Sequence, residues 1–153
     1  TLQAAGFTQY EVSAYARSPE ARARHNINYW RFGDYIGIGA GAHGKLTLPE
    51  TSSIIRRWKH RSPKAYMQNI QPLGGESSIA QEDLAFEFFM NTLRLLDGTD
   101  ETLFSARTGL ALSHVEEQLK QARQQGLLTP SPQLKATEKG QLFLNDLLEL
   151  FIH

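Results

Sequence analysis

The chain has 153 residues, 41% hydrophobic and 21% charged, with no cysteine and a formal net charge of zero. That length accommodates one ordinary domain or two small ones, and the composition supplies enough apolar material for a core, which excludes disorder as the default state. Without cysteine, these residues build no disulfide, thiolate nucleophile, zinc ribbon or cysteine-held iron–sulfur cluster.

The zero net charge conceals an asymmetry. Residues 1–75 carry ten Lys and Arg against four Asp and Glu, and residues 76–153 carry six against twelve. This switch from basic to acidic predicts two domains, 1–75 and 76–153. No run of about 18 apolar residues occurs, and no basic stretch followed by an apolar one opens the chain, so neither a membrane span nor a secretory signal is expected. A chain opening on Thr1 reads as an excerpt from a longer protein.

In chain order, residues 7–15 are rich in aromatic and β-branched side chains and put Tyr10, Val12 and Ala14 on one side, predicting a strand over 9–14. From Arg17 to Asn28 the sequence is polar and basic, and Pro19 blocks a continuous helix, predicting a long functional loop before Tyr29 and Trp30. Residues 35–38 read as a buried strand whose end is kept bare by the glycines of 39–44. Residues 51–61 fit either a strand or an irregular basic segment, and Ser62-Pro63 starts a short helix through Ile70. Pro72-Leu73-Gly74-Gly75 reads as a linker at the charge switch.

Beyond it, the spacing of Leu84, Phe88 and Leu95 predicts a helix over 80–96, stopped by Gly98. A short helix follows over 100–107. The next starts at Ser113, with Glu116 completing a capping box, and stops at Gly126. Residues 127–129 and 133–137 around Pro130-Ser131-Pro132 predict a two-stranded ribbon, and a last helix from Glu138 buries Leu142, Phe143, Leu147, Leu150 and Phe151. Three helices, a ribbon and a helix give the order of a winged-helix-like module.

Three groups of residues could carry chemistry. Gly39, Gly41 and Gly44 match a dinucleotide fingerprint by spacing, but Lys45 to Pro49 is not a helix opening and no ribose-binding acid follows, so the glycines permit either a sharp exit from a strand or close approach of a cofactor. His25, Asn26, Tyr29 and Trp30 put an imidazole, an amide, a phenol and an indole within six residues, able to ligate a metal and stack on a flat ring, or to latch over the core. Arg56, Arg57, Lys59, His60, Arg61 and Lys64 surround Trp58 in a cationic run that could meet phosphates or carboxylates, or be solvated surface. Nucleic acid is not an expected partner, because the third helix of the winged module carries Glu116 and Glu117 in a net acidic region.

His25-Asn26-x-x-Tyr29-Trp30, then 34–39 and Gly41-Ala42-His43, closely resemble the oxygen-independent coproporphyrinogen III oxidase-like proteins, and within them the haem-chaperone (HemW-like) branch. The resemblance runs on through 87–98 to 137–140. It implies the fold class: α/β plus α+β, the last strands of a partial radical S-adenosylmethionine (β/α) barrel followed by a mainly helical, winged-helix-like C-terminal domain. It also implies a parent chain with S-adenosylmethionine and a [4Fe–4S] cluster held by three cysteines that are absent here. Ala42 and His43 would then lie near the S-adenosylmethionine pocket, and His25 would contact haem, as a candidate ligand to its iron, with Asn26, Tyr29 and Trp30 positioning it. Relatives commonly carry Ser where this chain has Gly44.

The resulting expectation is a cytoplasmic haem chaperone that binds haem or porphyrin and delivers haem to an accepting protein. No catalytic residue is assigned within the stretch, which should not perform radical chemistry by itself. Two alternatives stay open: a true oxidase that oxidatively decarboxylates coproporphyrinogen propionates, and residues 76–153 as a protein-interaction module. The basic run at 56–64 is expected to face porphyrin propionates.

Overall fold

The computed structural model describes residues 1–68 and 71–152. Its elements, in chain order, are strands β1 (Thr8–Glu11) and β2 (Ala14–Ala16), helix α1 (Arg24–Trp30), strands β3 (His43–Leu48) and β4 (Ser53–Lys59), helix α2 (Pro63–Gln68) and strand β5 (Leu73–Ser78). Helix α3 (Leu84–Thr92), strand β6 (Thr99–Asp100), helices α4 (Thr102–Thr108) and α5 (Glu116–Gln124), strand β7 (Gln133–Leu134) and helices α6 (Glu138–Leu142) and α7 (Leu144–Glu149) follow. Two compact units result: residues 33–81, and residues 1–32 together with 82–153.

The 33–81 unit is an antiparallel sheet in the order β3-β4-β5. His43 faces Trp58 and Leu48 faces Ser53 across the β3–β4 ladder, and Ile54 and Ile55 of β4 are buried. The segment 72–75 is therefore not the linker its glycines and proline predict. Gly75 pairs with Trp58, and a Cβ there would come within 2.4 Å of the indole, so the glycine makes room for a ring. Nor is 35–38 a buried strand. Tyr35 alone bridges to Lys45, exchanging two hydrogen bonds of 2.9 Å, while Ile36 and Ile38 are 75% and 85% exposed. Gly37 is needed because a Cβ there would sit 2.4 Å from the His43 carbonyl oxygen. Helix α2 begins at Pro63 as predicted; the predicted end at Ile70 lies outside the described residues.

In the other unit, the predicted strand over 9–14 is a tight hairpin of β1 and β2, turning at Val12 and Ser13. The helix predicted over 80–96 begins with a 3₁₀ turn at Gln81–Asp83 and its α-helical part ends at Thr92. The chain then leaves the helix because β1 offers unpaired backbone groups: Leu96 N–H donates to the Tyr10 carbonyl (3.0 Å) and Val12 N–H to the Arg94 carbonyl (3.1 Å). Leu95 also bridges to Glu11.

Ser113 forms no capping box, since residues 112–115 wind as a 3₁₀ turn and α5 starts only at Glu116, without a side-chain cap. Thr137 does cap α6, its hydroxyl accepting from the Gly140 N–H at 3.0 Å. The predicted ribbon shrinks to one bridge, Leu128 to Ala136, because β7 pairs with β6 instead. Leu142 and Phe143, expected in the core, are 82% and 51% exposed, while Leu147 and Phe151 are buried.

The core of this unit is aromatic. Phe88 meets Phe89, Phe104 and Phe32 edge-on at centroid distances of 5.3, 5.2 and 5.8 Å, and Phe89 stacks on Phe151 at 3.8 Å. All the strand pairings among the described residues are antiparallel, whereas a (β/α) barrel is built from parallel neighbours. No helix is long and apolar enough to cross a membrane among the described residues.

Because Phe88 is fully buried and edge-on to three other rings, Phe88→Ala in the full-length protein should lower unfolding free energy by about 3–5 kcal/mol in urea titrations. A loss below about 1 kcal/mol would contradict this packing.

Candidate functional site

The segment read as a functional loop is helical. Pro19 opens a separate 3₁₀ turn, Pro19–Ala21, upstream of α1, so its missing N–H costs α1 nothing. Helix α1 carries His25, Asn26, Tyr29 and Trp30 together; His25 is exposed and the other three are half-buried. At 3.6 residues per turn, His25 and Tyr29 share one face and Asn26 and Trp30 the next. Tyr29 and Trp30 meet edge to face, with centroids 4.7 Å apart.

A side chain that sequence reasoning did not single out fixes this helix. The Arg94 guanidinium lies 4.4 Å from the centre of the Trp30 ring, donates to Ser13 Oγ at 3.0 Å and pairs with Glu11 at 3.4 Å. Glu11 is 3% exposed, and its other oxygen accepts from the Ser13 N–H at 2.8 Å. A buried carboxylate needs a cation, and the cation is shared with the indole face. Just past α1, Phe32 adopts φ 55° with 1% exposure, a strained conformation held by its packing on Phe88. Trp30 Nε1 is buried without a hydrogen-bond partner among the described residues.

Ala42 and His43 belong to the other unit. Gly39 (φ 105°) and Gly41 (φ 71°) shape the turn before them, and a strand rather than a helix follows Gly44. Ala42 C=O accepts from the Lys59 N–H at 2.9 Å, and His43 opens β3 exposed. Ala42, with Tyr35, Gly44 and Leu46, lines a cavity of about 160 Å³. Thiolates for a [4Fe–4S] cluster are not supplied by these residues.

The cationic run lies mostly along β4. Arg57 is paired with Glu76 across the sheet at 2.8 Å, so the run is not one uncompensated surface. Beside it, Asp34 receives hydrogen bonds from Thr47 N–H and Oγ1, each 2.9 Å, and from Lys45 Nζ at 3.1 Å. Burial pushes the Asp34 carboxyl up, but these bonds and the Lys45 charge outweigh it and hold the group below its ordinary value. Among the described residues, no three His, Asp or Glu gather to hold a metal ion.

Residues 79–143 match the HemN C-terminal domain family. Over 99% of its length the chain is 49% identical to the haem chaperone HemW of Escherichia coli (strain K12) and 47% identical to that of Haemophilus influenzae, covering 39% of each. It thus spans about two fifths of the length of these curated relatives. The fold of an Escherichia coli coproporphyrinogen III oxidase (HemN), described as a radical SAM enzyme, superposes with a TM-score of 0.61 at 15% identity, over 98% of this chain and 38% of that one.

Two measurements test this geometry. Arg94→Ala leaves the Glu11 carboxylate buried without its cation and should cost about 3 kcal/mol, with Glu11→Gln in the same chain recovering part of it. A cost under about 1 kcal/mol, or no recovery, contradicts the pairing. For Asp34, whose folded pKa is depressed, the stabilisation is full above the unfolded value near 4 and is lost as pH falls through the folded one. Asp34→Asn should therefore flatten the acid limb of a plot of thermal midpoint against pH; an unchanged limb contradicts the assignment.

Proposed function

We propose that the chain is part of a HemN/HemW-like protein, of the oxygen-independent coproporphyrinogen III oxidase-like radical S-adenosylmethionine kind, and that it carries the haem-contacting element of a haem chaperone. The observation that carries the reading is α1: an exposed imidazole, His25, beside Tyr29, on a helix immobilised by the Arg94–Trp30 stack. An exposed histidine on a rigid element can offer a ring nitrogen to haem iron, and flanking aromatic rings can cover a flat macrocycle.

In this reading haem is cargo. His25 ligates it, Tyr29 and Trp30 contact its ring, and Asn26 supports the helix. The buried, unpartnered Trp30 Nε1 is a donor left for a ligand or for a rearrangement on binding. Delivery to an accepting protein and a cytoplasmic location accompany this reading, and its support is the similarity to two proteins called haem chaperone HemW.

The domain reading is also a proposal: residues 1–75 complete a radical S-adenosylmethionine barrel and residues 76–153 form a winged-helix-like C-terminal domain. Its support is the HemN C-terminal domain match over 79–143 and the helix order α3, α4, α5 before the Leu128–Ala136 bridge. Ala42 and His43 would contribute one wall of an S-adenosylmethionine pocket completed by the additional length that the relatives carry. That cofactor and a [4Fe–4S] cluster would supply radical chemistry to the parent protein, and no step of it is assigned to these residues.

In the full-length protein, His25→Ala should weaken haem binding at least about tenfold and shift the Soret band, as expected when a ligand is lost. An unchanged spectrum and affinity would remove His25 as ligand. Turnover of coproporphyrinogen to decarboxylated product by the reconstituted full-length protein would favour the oxidase over the chaperone.

A further inference from the structure

Alongside α1 runs a cleft of about 510 Å³ whose lining includes Arg22, Arg24, Arg31 and Arg107, with Ile27 and Asn28 between them. Residues 24, 27, 28 and 31 follow the i, i+3, i+4, i+7 spacing of a single helix face, and Arg107 joins them from the last turn of α4. One arginine is already engaged: Arg22 pairs with Asp97 and lies over the Tyr10 ring. The other three make no side-chain hydrogen bond or ion pair within the described residues. Among the described residues Glu20 is the one carboxylate lining the cleft, and Ser18 hydrogen-bonds it.

Several guanidinium groups converging on one cleft repel one another, and the repulsion is relieved when an anion enters. Guanidinium is planar and presents paired N–H donors that match a carboxylate, and the apolar Ile27 beside them suits a ligand that is part hydrocarbon and part acid. From Arg24 to Arg31 the helix rises about 10 Å, room for two carboxylates on one edge of a molecule. His25 and Tyr29 occupy the next face round α1, so a ligand reaching both faces presents a flat ring to one and acidic substituents to the other.

We propose that this cleft is the carboxylate-binding half of the haem site, with Arg24, Arg31 and Arg107 receiving the two propionates. The inference rests on reading α1 as the haem-contacting helix. It also moves the propionate contacts from the basic run at 56–64, where Arg57 is already paired with Glu76, to a cleft in the same unit as His25.

The test titrates the full-length protein with haem and with haem dimethyl ester, whose propionates carry no charge. The unmodified protein should bind haem about tenfold more tightly than the ester, because exposed ion pairs contribute a few-fold each and three act together. The variant R24Q/R31Q/R107Q should bind haem about as weakly as the ester while its ester affinity stays unchanged. Equal affinities of the unmodified protein for the two ligands overturn the proposal, and so does a variant that loses both ligands equally or neither. The comparison of ligands on unmodified protein holds even where the triple variant does not fold. Those results leave the role of His25 standing, whereas an unmodified protein that binds neither ligand overturns the haem reading and this inference together.

Discussion

A buried carboxylate and the cation it demands organise the region around α1. Glu11 is sequestered in a short hairpin, where an unpaired charge would be strongly unfavourable, and Arg94 reaches it from the segment just past α3. The same guanidinium lies on the Trp30 indole, so the hairpin, α1 and the end of α3 are joined through one planar group. Had the chain continued as helix through Leu96, this convergence would be lost. Its departure at Thr92, driven by pairing with β1, brings Arg94 to the hairpin. The aromatic cluster of Phe88, Phe89, Phe104 and Phe151 then supplies the apolar floor, with Phe32 fastening the exit of α1.

Rigid support of this kind is what a ligand-presenting helix of seven residues requires, since so short a helix is not stable by itself. Its two outward faces differ in chemistry: an imidazole and a phenol on one, arginines on the other. A flat metallated ring with acidic substituents satisfies both, which is why the proposed cargo and the proposed propionate contacts form a single account.

How much of this could be read from the sequence depended on the source of each signal. One helix end marked by glycine was legible: Gly126, read as the stop of the third helix, takes positive φ just past the Gln125 cap of α5. The motif residues His25, Asn26, Tyr29 and Trp30 were legible through resemblance, but their helical setting was not, because Pro19 in a basic stretch masked the i, i+3, i+4, i+7 spacing of Arg24, Ile27, Asn28 and Arg31. Glycine misled most in the sheet. Gly74 and Gly75 read as a linker, yet Gly75 exists to clear the Trp58 ring, and Gly37 to clear a neighbouring carbonyl. These are tertiary reasons, invisible until β3, β4 and β5 are paired. Arg94 and Glu11 lie far apart in sequence with no local pattern to join them; only a lone acid in an apolar strand, Glu11 beside Tyr10, hinted at a buried partner.

The most direct test of the central claim is hydrogen–deuterium exchange on the full-length protein with and without haem. The account predicts that haem slows exchange in peptides spanning 24–32 and the end of α4 near Arg107. Slowing confined to other segments, with 24–32 exchanging alike in both states, would contradict it.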